Sequence, residues 1–258
     1  MKNLIVLVST LLVSVPVWAS ASLGCQASSG KFVTPVLELY TSEGCSSCPP
    51  ADRWMSQQIR RTDLNANFLA FHVDYWDDIG WPDRFASPNH TQRQRTRVQQ
   101  KGSSTVYTPQ VMIGEQTRVS WSWPDRTEDY IKQANSEVAL ATLALQAQGG
   151  GAQWQVKVAL SSLHALPNTQ WYLAVYQDGL SSQVSAGENK GVLLKHDRVV
   201  RQWLGPYRLN GANTSKDFNI TLSNSAVIGQ TGLLAVLENS SNGQVLQSLK
   251  LPLAQCKK

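Results

Sequence analysis

The chain has 258 residues, of which 42% are hydrophobic and 16% are charged, and its formal net charge is +5. This composition excludes a disordered chain, a fibrous protein and a multispan membrane protein. Four cysteines are too few for a small scaffold that depends on disulfides. Their positions matter more, because Cys25 and Cys256 lie near the two ends while Cys45 and Cys48 form a Cys-x-x-Cys.

Residues 1–21 have the pattern of a secretory signal peptide. Lys2 supplies the positive start, residues 4–17 form an apolar run, and Ala-Ser-Ala at 19–21 matches a small-residue cleavage site. The apolar run is short for a membrane-spanning helix. We therefore expect a periplasmic or secreted protein with no stable membrane insertion after signal cleavage, in a compartment that permits disulfides.

After an N-terminal tail at 22–34, residues 35–137 alternate between strand-like and helix-like stretches. The predicted strands are 36–41, 68–74 and 111–113, and the predicted helices are 49–61, 91–101 and 125–134. Alternating strands and helices predict an α/β domain in which at least some strands are parallel.

Residues 138–256 have a different pattern, in which short strand candidates are separated by Gly, Asn, Ser and Pro turns. These candidates are 154–160, 171–176, 192–194, 218–222, 233–237 and 245–251, with a further one at 137–146. The absence of an intervening helical pattern predicts an all-β, sandwich-like domain.

The Cys-x-x-Cys follows the predicted strand 36–41 and precedes the predicted helix 49–61. At such a junction the free N–H groups and the dipole of the helix stabilise a thiolate. Cys45 can then attack a disulfide, and Cys48 can resolve the mixed disulfide. No second cysteine pair has zinc-finger spacing. The pattern favours a redox pair over a structural disulfide or part of a metal site.

Several longer motifs accompany the cysteines. They are ELYTSEGCSSCPPAD at 38–52, HVDYWD at 72–77, FASP at 85–88, TQRQR at 91–95, VYTPQ at 106–110, GENKG at 187–191, and His196 with VVR at 199–201. Over nearly all of the chain after the signal peptide, these motifs resemble secreted bacterial proteins grouped as the domain of unknown function 1223 family.

The resemblance implies a thioredoxin-like fold followed by a β-rich part, and it implies no established reaction. By similarity to thioredoxin-like oxidoreductases, Cys45 is the expected nucleophile and Cys48 the resolving cysteine. Pro109 is the expected cis-proline, since Thr108 and Pro109 directly precede the predicted strand 111–113. These two residues would present backbone to a substrate polypeptide.

Two further side chains are open to more than one interpretation. Glu38 lies in an apolar strand, where burial would raise its pKa and allow it to relay protons, although the pattern slightly favours an edge-exposed or hydrogen-bonded structural role. His72 could join Cys45 and Cys48 in a copper site, since thiolates and imidazole suit Cu(I), but a packed histidine is the simpler interpretation.

Three polar segments are interpreted as structural. Aromatic and acidic residues at 75–85 predict a minor core, or else a platform for a partner polypeptide. The basic residues at 93–101 predict a solvated helix rather than a nucleic-acid site, because the net charge is small and no binding module is present. The polar cluster at 188–201 predicts a network of turns.

Cys25 and Cys256 are expected to form a structural disulfide, because two remaining thiols in an oxidising compartment most simply pair. The function that these patterns favour is a thiol–disulfide oxidoreductase without a cofactor, whose partners are protein thiols or disulfides or a redox protein. The alternatives are a copper-binding protein using the same thiols and a non-catalytic thioredoxin-like scaffold.

Overall fold

The computed structural model describes residues 23–209, 211–223 and 226–257, so the predicted signal peptide at 1–21 lies outside the described residues. The strands are β1 (Leu23–Ser28), β2 (Val36–Thr41), β3 (Asn67–His72), β4 (Gln110–Ile113), β5 (Gln116–Val119), β6 (Ala141–Gly150), β7 (Gln153–Ser162), β8 (Thr169–Gln177), β9 (Leu180–Gln183), β10 (Leu193–His196), β11 (Val199–Arg208), β12 (Asn213–Thr221), β13 (Thr231–Asn239) and β14 (Val245–Pro252). The helices are α1 (Cys48–Ile59), α2 (Pro88–Gln99) and α3 (Pro124–Ser136), with short 3₁₀ turns at Ile228–Gln230 and Leu253–Gln255.

The chain is β-rich and contains more than one sheet. Its largest sheet has eight strands in the order β14-β13-β8-β11-β3-β2-β4-β5. Strand β3 runs parallel to both β2 and β11, and the other neighbours in this sheet are antiparallel. The sheet therefore takes strands from both of the regions that the sequence distinguishes at residue 137.

Strand β11 joins these two regions, and it is absent from the strands that the sequence predicts. It contains Gly205 and Pro206, and its pairing with β8 is irregular between Val200 and Gln202 and again between Leu204 and Tyr207. A proline and a glycine inside a strand usually mark a bulge or an edge. Here they mark bulges in a strand that other strands flank on both sides.

A second sheet of four antiparallel strands, in the order β1-β6-β7-β12, packs on the β14-β13-β8 part of the large sheet. Side chains alternate between buried and exposed along β6 and β7, as expected for a sheet with one solvated face. Leu143 and Val158 from this sheet share a core with Trp171 and Leu233 from the large sheet.

The predicted pairing of Cys25 with Cys256 is present as a disulfide, with the two Cα atoms 4.4 Å apart. Next to it, the backbone of Gly24 exchanges two hydrogen bonds with Lys257. The segment predicted as a tail thus contributes strand β1, which is tied to the C-terminal end of the chain.

The helices cover both faces of the β2–β3–β4 part of the sheet. Helices α1 and α3 cover the face that carries Leu37 and Leu39, and α2 covers the face that carries Tyr40 and Phe71. Because side chains alternate along a strand, Thr41 and His72 lie on the α1 side. No helix among the described residues is long and apolar enough to cross a membrane.

Candidate active site at the Cys45–Cys48 disulfide

Cys45 and Cys48 form a disulfide in the turn between β2 and α1, with their Cα atoms 5.4 Å apart. The N–H of Cys45 donates to the carbonyl of Ser42, and the N–H of Cys48 donates to the carbonyl of Cys45. Helix α1 begins at Cys48 and has prolines in its first turn, where the absent N–H groups would have no helical partner. Both sulfur-bearing residues are buried, whereas the residues between them are exposed.

The turn between β9 and β10 covers the dithiol loop, which we define as residues 42–48. The Glu188 carboxylate accepts a hydrogen bond of 3.0 Å from the N–H of Ser46. The side-chain amide of Asn189 donates to the carbonyls of Glu43 and Cys45, at 2.8 and 3.0 Å. Residues from the second half of the chain therefore hold the loop that carries the cysteines.

Trp76 connects the dithiol loop to the segment that contains Thr108 and Pro109. Its indole N–H donates to the hydroxyl oxygen of Thr108 at 2.8 Å. A Cβ atom placed on Gly44 would lie 3.3 Å from the Cβ of Trp76, so the loop and Trp76 are in tight contact at this point. The Thr108–Pro109 peptide bond is cis.

A buried ion pair lies beside the loop. Nδ1 of His72 is 2.6 Å from the Asp83 carboxylate, and both side chains are fully buried. Asp83 also accepts a hydrogen bond of 2.9 Å from the N–H of Glu43. Burial opposes the charged form of each partner, but the charge of Asp83 raises the pKa of His72 and that of His72 lowers the pKa of Asp83 to about 2. Asp83 is therefore ionised at neutral pH, and its charge favours the protonated form of His72.

A second group of buried side chains connects α1 to the dithiol loop. Asp52 lies one helical turn after Cys48 and accepts a hydrogen bond of 3.3 Å from the Thr41 hydroxyl. His196, at the end of β10, places Nδ1 3.8 Å from the Asp52 carboxylate and Nε2 3.3 Å from the Glu43 carboxylate. The other Glu43 oxygen accepts a hydrogen bond of 2.8 Å from the Trp81 indole.

The two carboxyl groups in this cluster differ in their affinity for a proton. Burial raises the pKa of Asp52 and outweighs the opposing charges of His196 and His72. Burial also acts on Glu43, but the contacts of its carboxylate with His196 and Trp81 lower its pKa below the usual value. Of the two carboxyl groups, Asp52 is therefore the one that holds a proton more tightly.

The surroundings of Glu38 lower its pKa instead of raising it. Burial would raise its pKa, but the charges of Arg93 and Arg97 outweigh burial and lower it. Its carboxylate pairs with the guanidinium of Arg93 and accepts a hydrogen bond from the Tyr40 hydroxyl. The expectation of a raised pKa for Glu38 is wrong, because an arginine from α2 lies in the same buried pocket.

The basic residues of α2 are also placed differently from the sequence expectation of a solvated helix. Arg93 is buried between Glu38 and Glu238 and stacks on the Trp203 ring, with 4.4 Å from its guanidinium carbon to the ring centroid. Arg97 is also buried and donates to the carbonyl of Gly243. Of this stretch, Arg95 and Lys101 are exposed.

The sequence patterns identify the cysteines and Thr108–Pro109 but miss the buried groups around them. The sequence spacing could have identified Asp52, since it follows Cys48 by four residues and so lies on the same helix face. His196 and Asn189 belong to the segment interpreted as a network of turns, and only the tertiary fold brings them to Cys45 and Glu43.

His72 makes its closest polar contact with Asp83 and packs its ring on His196 and Phe85, at centroid distances of 4.8 and 5.4 Å. Within the described ranges, no group of three or more His, Cys, Asp and Glu side chains is arranged to hold a metal ion.

The fold resembles two solved structures. Protein AGR_C_4864 from Agrobacterium tumefaciens has a TM-score of 0.65 and 21% identity, over 89% of this chain and 99% of that chain. HBP35 of Porphyromonas gingivalis has a TM-score of 0.66 and 16% identity, over 88% of this chain and 77% of that chain. At such low sequence identities, the similarity is evidence for a shared fold alone.

No curated protein matches the chain. The model of the family described as "Protein of unknown function (DUF1223)" matches residues 36–238, which is most of the chain. The chain belongs to this family.

Proposed function

We propose that the protein is a thiol–disulfide oxidoreductase that acts on protein substrates through Cys45 and Cys48, in a thioredoxin-like part of the fold. The observation that carries the proposal is the Cys45–Cys48 disulfide at the N-terminus of α1, with the buried carboxyl of Asp52 one turn further along the same helix. A helix N-terminus stabilises a thiolate, and a carboxyl with a raised pKa exchanges protons with a neighbouring thiol.

In this reaction Cys45 is the nucleophile and Cys48 the resolving cysteine. The Cys45 thiolate attacks a substrate disulfide, a mixed disulfide forms, and one substrate sulfur leaves as a thiolate. Cys48 then attacks the Cys45 sulfur, which restores the Cys45–Cys48 disulfide and releases the second substrate sulfur. Asp52 takes the proton that Cys48 loses. Only sulfur chemistry is involved, so the reaction requires no cofactor.

The backbone at Thr108 and Pro109 is the proposed contact for the substrate chain. Trp76 supports this role, because it bonds the Thr108 hydroxyl and also packs against Gly44 in the dithiol loop. A substrate segment held at Thr108 would lie beside the cysteines, which is the arrangement that positions a disulfide for attack.

We also propose that the protein works in an oxidising compartment, either the periplasm or the exterior. The described residues contain two disulfides and no free cysteine, and disulfides persist in such compartments. The predicted signal peptide at 1–21 agrees with this location. The physiological partners would then be secreted proteins or a redox partner protein.

Trapping of mixed disulfides tests this function. In Cys48→Ala the mixed disulfide on Cys45 cannot be resolved, so substrate proteins should remain covalently attached and appear after non-reducing separation. Cys45→Ala is the matched control and should trap none. The wild type should also reduce insulin or promote oxidative refolding of a reduced protein.

The opposing results identify the alternatives. Tight Cu(I) binding that is lost in Cys45→Ser, together with no exchange on insulin, would favour the copper-binding protein. Full activity of Cys45→Ala in the process that the protein serves would favour the non-catalytic scaffold. Either result would overturn the oxidoreductase proposal.

A further inference from the structure

His196 lies between two buried carboxylates that come from different elements. Nε2 is 3.3 Å from the nearest Glu43 oxygen, and Nδ1 is 3.8 Å from the nearest Asp52 oxygen. The residue is 3% exposed, and neither ring nitrogen has a hydrogen-bond partner within the described part of the chain. The imidazole therefore spans the gap between the helix that carries Cys48 and the loop that carries Cys45.

The two carboxylates have different surroundings. Asp52 lies below Cys48 on α1 and is bonded to Thr41. Glu43 lies two residues before Cys45 and is bonded to the half-buried indole of Trp81. Thr41 is itself fully buried, whereas Glu43 belongs to the dithiol loop, at which a substrate would arrive.

We propose that His196 passes a proton between Asp52 and Glu43 each time the Cys45–Cys48 pair is oxidised or reduced. This inference rests on the proposed function. Imidazole suits the task because one ring nitrogen accepts a proton while the other releases one. His196 acts through the two carboxyl groups and is therefore a positioning residue for the sulfur chemistry.

The step balances as follows. Starting from a mixed disulfide on Cys45, the Cys48 thiol gives its proton to Asp52, and the Cys48 sulfur bonds to the Cys45 sulfur. The bond between Cys45 and the substrate sulfur breaks, and that sulfur leaves as a thiolate with the electron pair. In this step Cys48 is oxidised and the departing substrate sulfur is reduced, while Cys45 passes from one disulfide to another. Nδ1 of His196 then accepts the proton from Asp52, and Nε2 releases its own proton to Glu43.

Other charged groups near His196 are already paired. The ring of His72 on β3 lies 4.8 Å from the His196 ring, and its partner is Asp83. Phe85 supplies an apolar contact at 5.8 Å. Asp52 on α1 and Glu43 in the dithiol loop are thus the carboxyl groups that exchange a proton with His196.

Oxidation of the reduced full-length protein by glutathione disulfide tests the proton transfer. Mass spectrometry follows the glutathione adduct on Cys45, and the release of glutathione follows its resolution by Cys48. We expect His196→Gln to slow resolution by about tenfold between pH 6 and 8, with a steeper rise of the rate with pH, because Asp52 then keeps its proton and Cys48 must lose its own proton to water. Formation of the adduct should change by less than about twofold, since it precedes this proton transfer.

His90→Gln is the matched control, because His90 is a buried histidine whose Nδ1 bonds the carbonyl of His72. It should resolve the adduct at the wild-type rate and with the wild-type pH profile. Glu43→Gln leaves His196 in place but removes the acceptor, so it should show the same slow resolution as His196→Gln. If His196→Gln fails to fold, the resolution rate of Glu43→Gln alone tests the proton transfer.

Two negative results have different meanings. Wild-type resolution rates and pH profiles in both His196→Gln and Glu43→Gln would overturn the proton transfer and leave the oxidoreductase standing. A wild-type protein that forms no glutathione adduct on Cys45 would overturn the proposed function itself.

Discussion

Around the dithiol loop, each buried ionisable side chain lies against a partner of complementary chemistry. The Asp83 carboxylate contacts both the His72 ring and the N–H of Glu43, and the Glu43 carboxylate contacts both His196 and Trp81. An isolated buried carboxylate would be strongly destabilising, so these pairings are what permits charge beside an apolar sheet. The cluster therefore links the stability of the fold to the residues that surround the cysteines.

We expect Asp83 to make the stability depend on pH in the acidic range. Its pKa is lowered to about 2 in the folded protein from an ordinary 3.8, so its stabilising contribution is present above pH 4 and lost as the pH falls towards 2. That shift corresponds to about 2 to 3 kcal/mol. Chemical denaturation of the wild type and of Asp83→Asn at several pH values measures it.

The difference in unfolding free energy between the two proteins should be largest between about pH 4 and pH 6, where Asp83 is ionised and His72 is protonated in the folded protein, and should shrink below pH 4. Asp78→Asn is a suitable control, because Asp78 is exposed and its loss should leave the pH profile unchanged. A constant difference between the wild type and Asp83→Asn from pH 7 to pH 2 would contradict the charged His72–Asp83 pair.

Local spacing was sufficient to find Cys45, Cys48 and the Thr108–Pro109 pair, because their chemistry depends on neighbours in the sequence. It failed for Glu43 and His196, since neither has a partner nearby in the sequence and their meeting depends on how β10 packs on α1. For Glu38 the strand position and the burial were inferred, but the sign of the pKa shift depended on Arg93 from another element.

Helix α2 is fastened to the sheet by charge as well as by apolar contact. Arg93 lies between Glu38 of β2 and Glu238 of β13 and against the aromatic ring of Trp203. The helix has few large apolar residues of its own, so the buried arginine performs the anchoring that an apolar stripe would usually provide.

We expect Arg93→Met to destabilise the protein by about 3 to 5 kcal/mol, because Glu38 loses its ion-pair partner and Glu238 keeps only Arg97, at 3.7 Å. Arg95→Met on the exposed face of the same helix is the control and should change the stability by less than about 0.5 kcal/mol. Urea denaturation measures both. Burial without Arg93 would raise the pKa of Glu38, so Arg93→Met should recover part of its lost stability as the pH falls towards 5. Equal stabilities of the two variants would contradict the anchor.

The turn between β9 and β10 restricts access to the disulfide. Asn189 is buried and holds the carbonyls of Glu43 and Cys45, while Cys45 itself is completely buried. We expect Asn189→Ala to increase the rate of reduction by dithiothreitol by about three- to tenfold, because the carbonyls of Glu43 and Cys45 each lose the hydrogen bond from Asn189 and the loop loosens. Alkylation of the released thiols measures the rate.

Lys190→Ala is the control for this turn, since Lys190 is exposed beside Asn189. It should be reduced at the wild-type rate. An Asn189→Ala protein that is no more reducible than the wild type would show that the turn does not limit access to Cys45.

The sequence predicts some of the helices and strands correctly and misses others. Strand β2 and the helices α1, α2 and α3 were found within a few residues of their observed ends, because period and turn residues determine them locally. Strand β11 was missed, since Gly205 and Pro206 interrupt its pattern and its pairing partners lie in two different parts of the chain. Its place in the sheet follows from tertiary pairing, which no local pattern encodes.

The two regions that differ in sequence pattern share one sheet and one of its cores. The core beneath α2 contains Tyr40 and Phe71 from the first region together with Tyr176, Val200 and Val236 from the second. By contrast, the core between the two sheets is built almost entirely from residues after 140, with side chains of β1 packed at its edge. The first region therefore depends on the second for its core, whereas the second region depends little on the first.

We expect residues 35–137, expressed alone, to lack a fixed tertiary structure. Removal of β11 exposes an edge of β3, the apolar core under α2 loses half of its partners, and Arg93 loses Glu238. Exposed apolar surface of this kind favours a compact state without fixed packing. Near-ultraviolet circular dichroism and thermal unfolding of the fragment measure this against the full-length protein.

Residues 138–256 are the internal comparison, because this fragment keeps nearly all of the core between the sheets, including Trp171, Leu233 and Leu251. It should retain the near-ultraviolet signal of buried aromatic rings and a cooperative thermal transition at a lower temperature than the full chain. Mixing the two fragments should restore structure to 35–137, since β11 can then pair with β3. If the fragment 35–137 unfolds cooperatively on its own, the region from α1 to α3 is stable without β11. The second region would then contribute to the active site only by supplying Asn189 and His196.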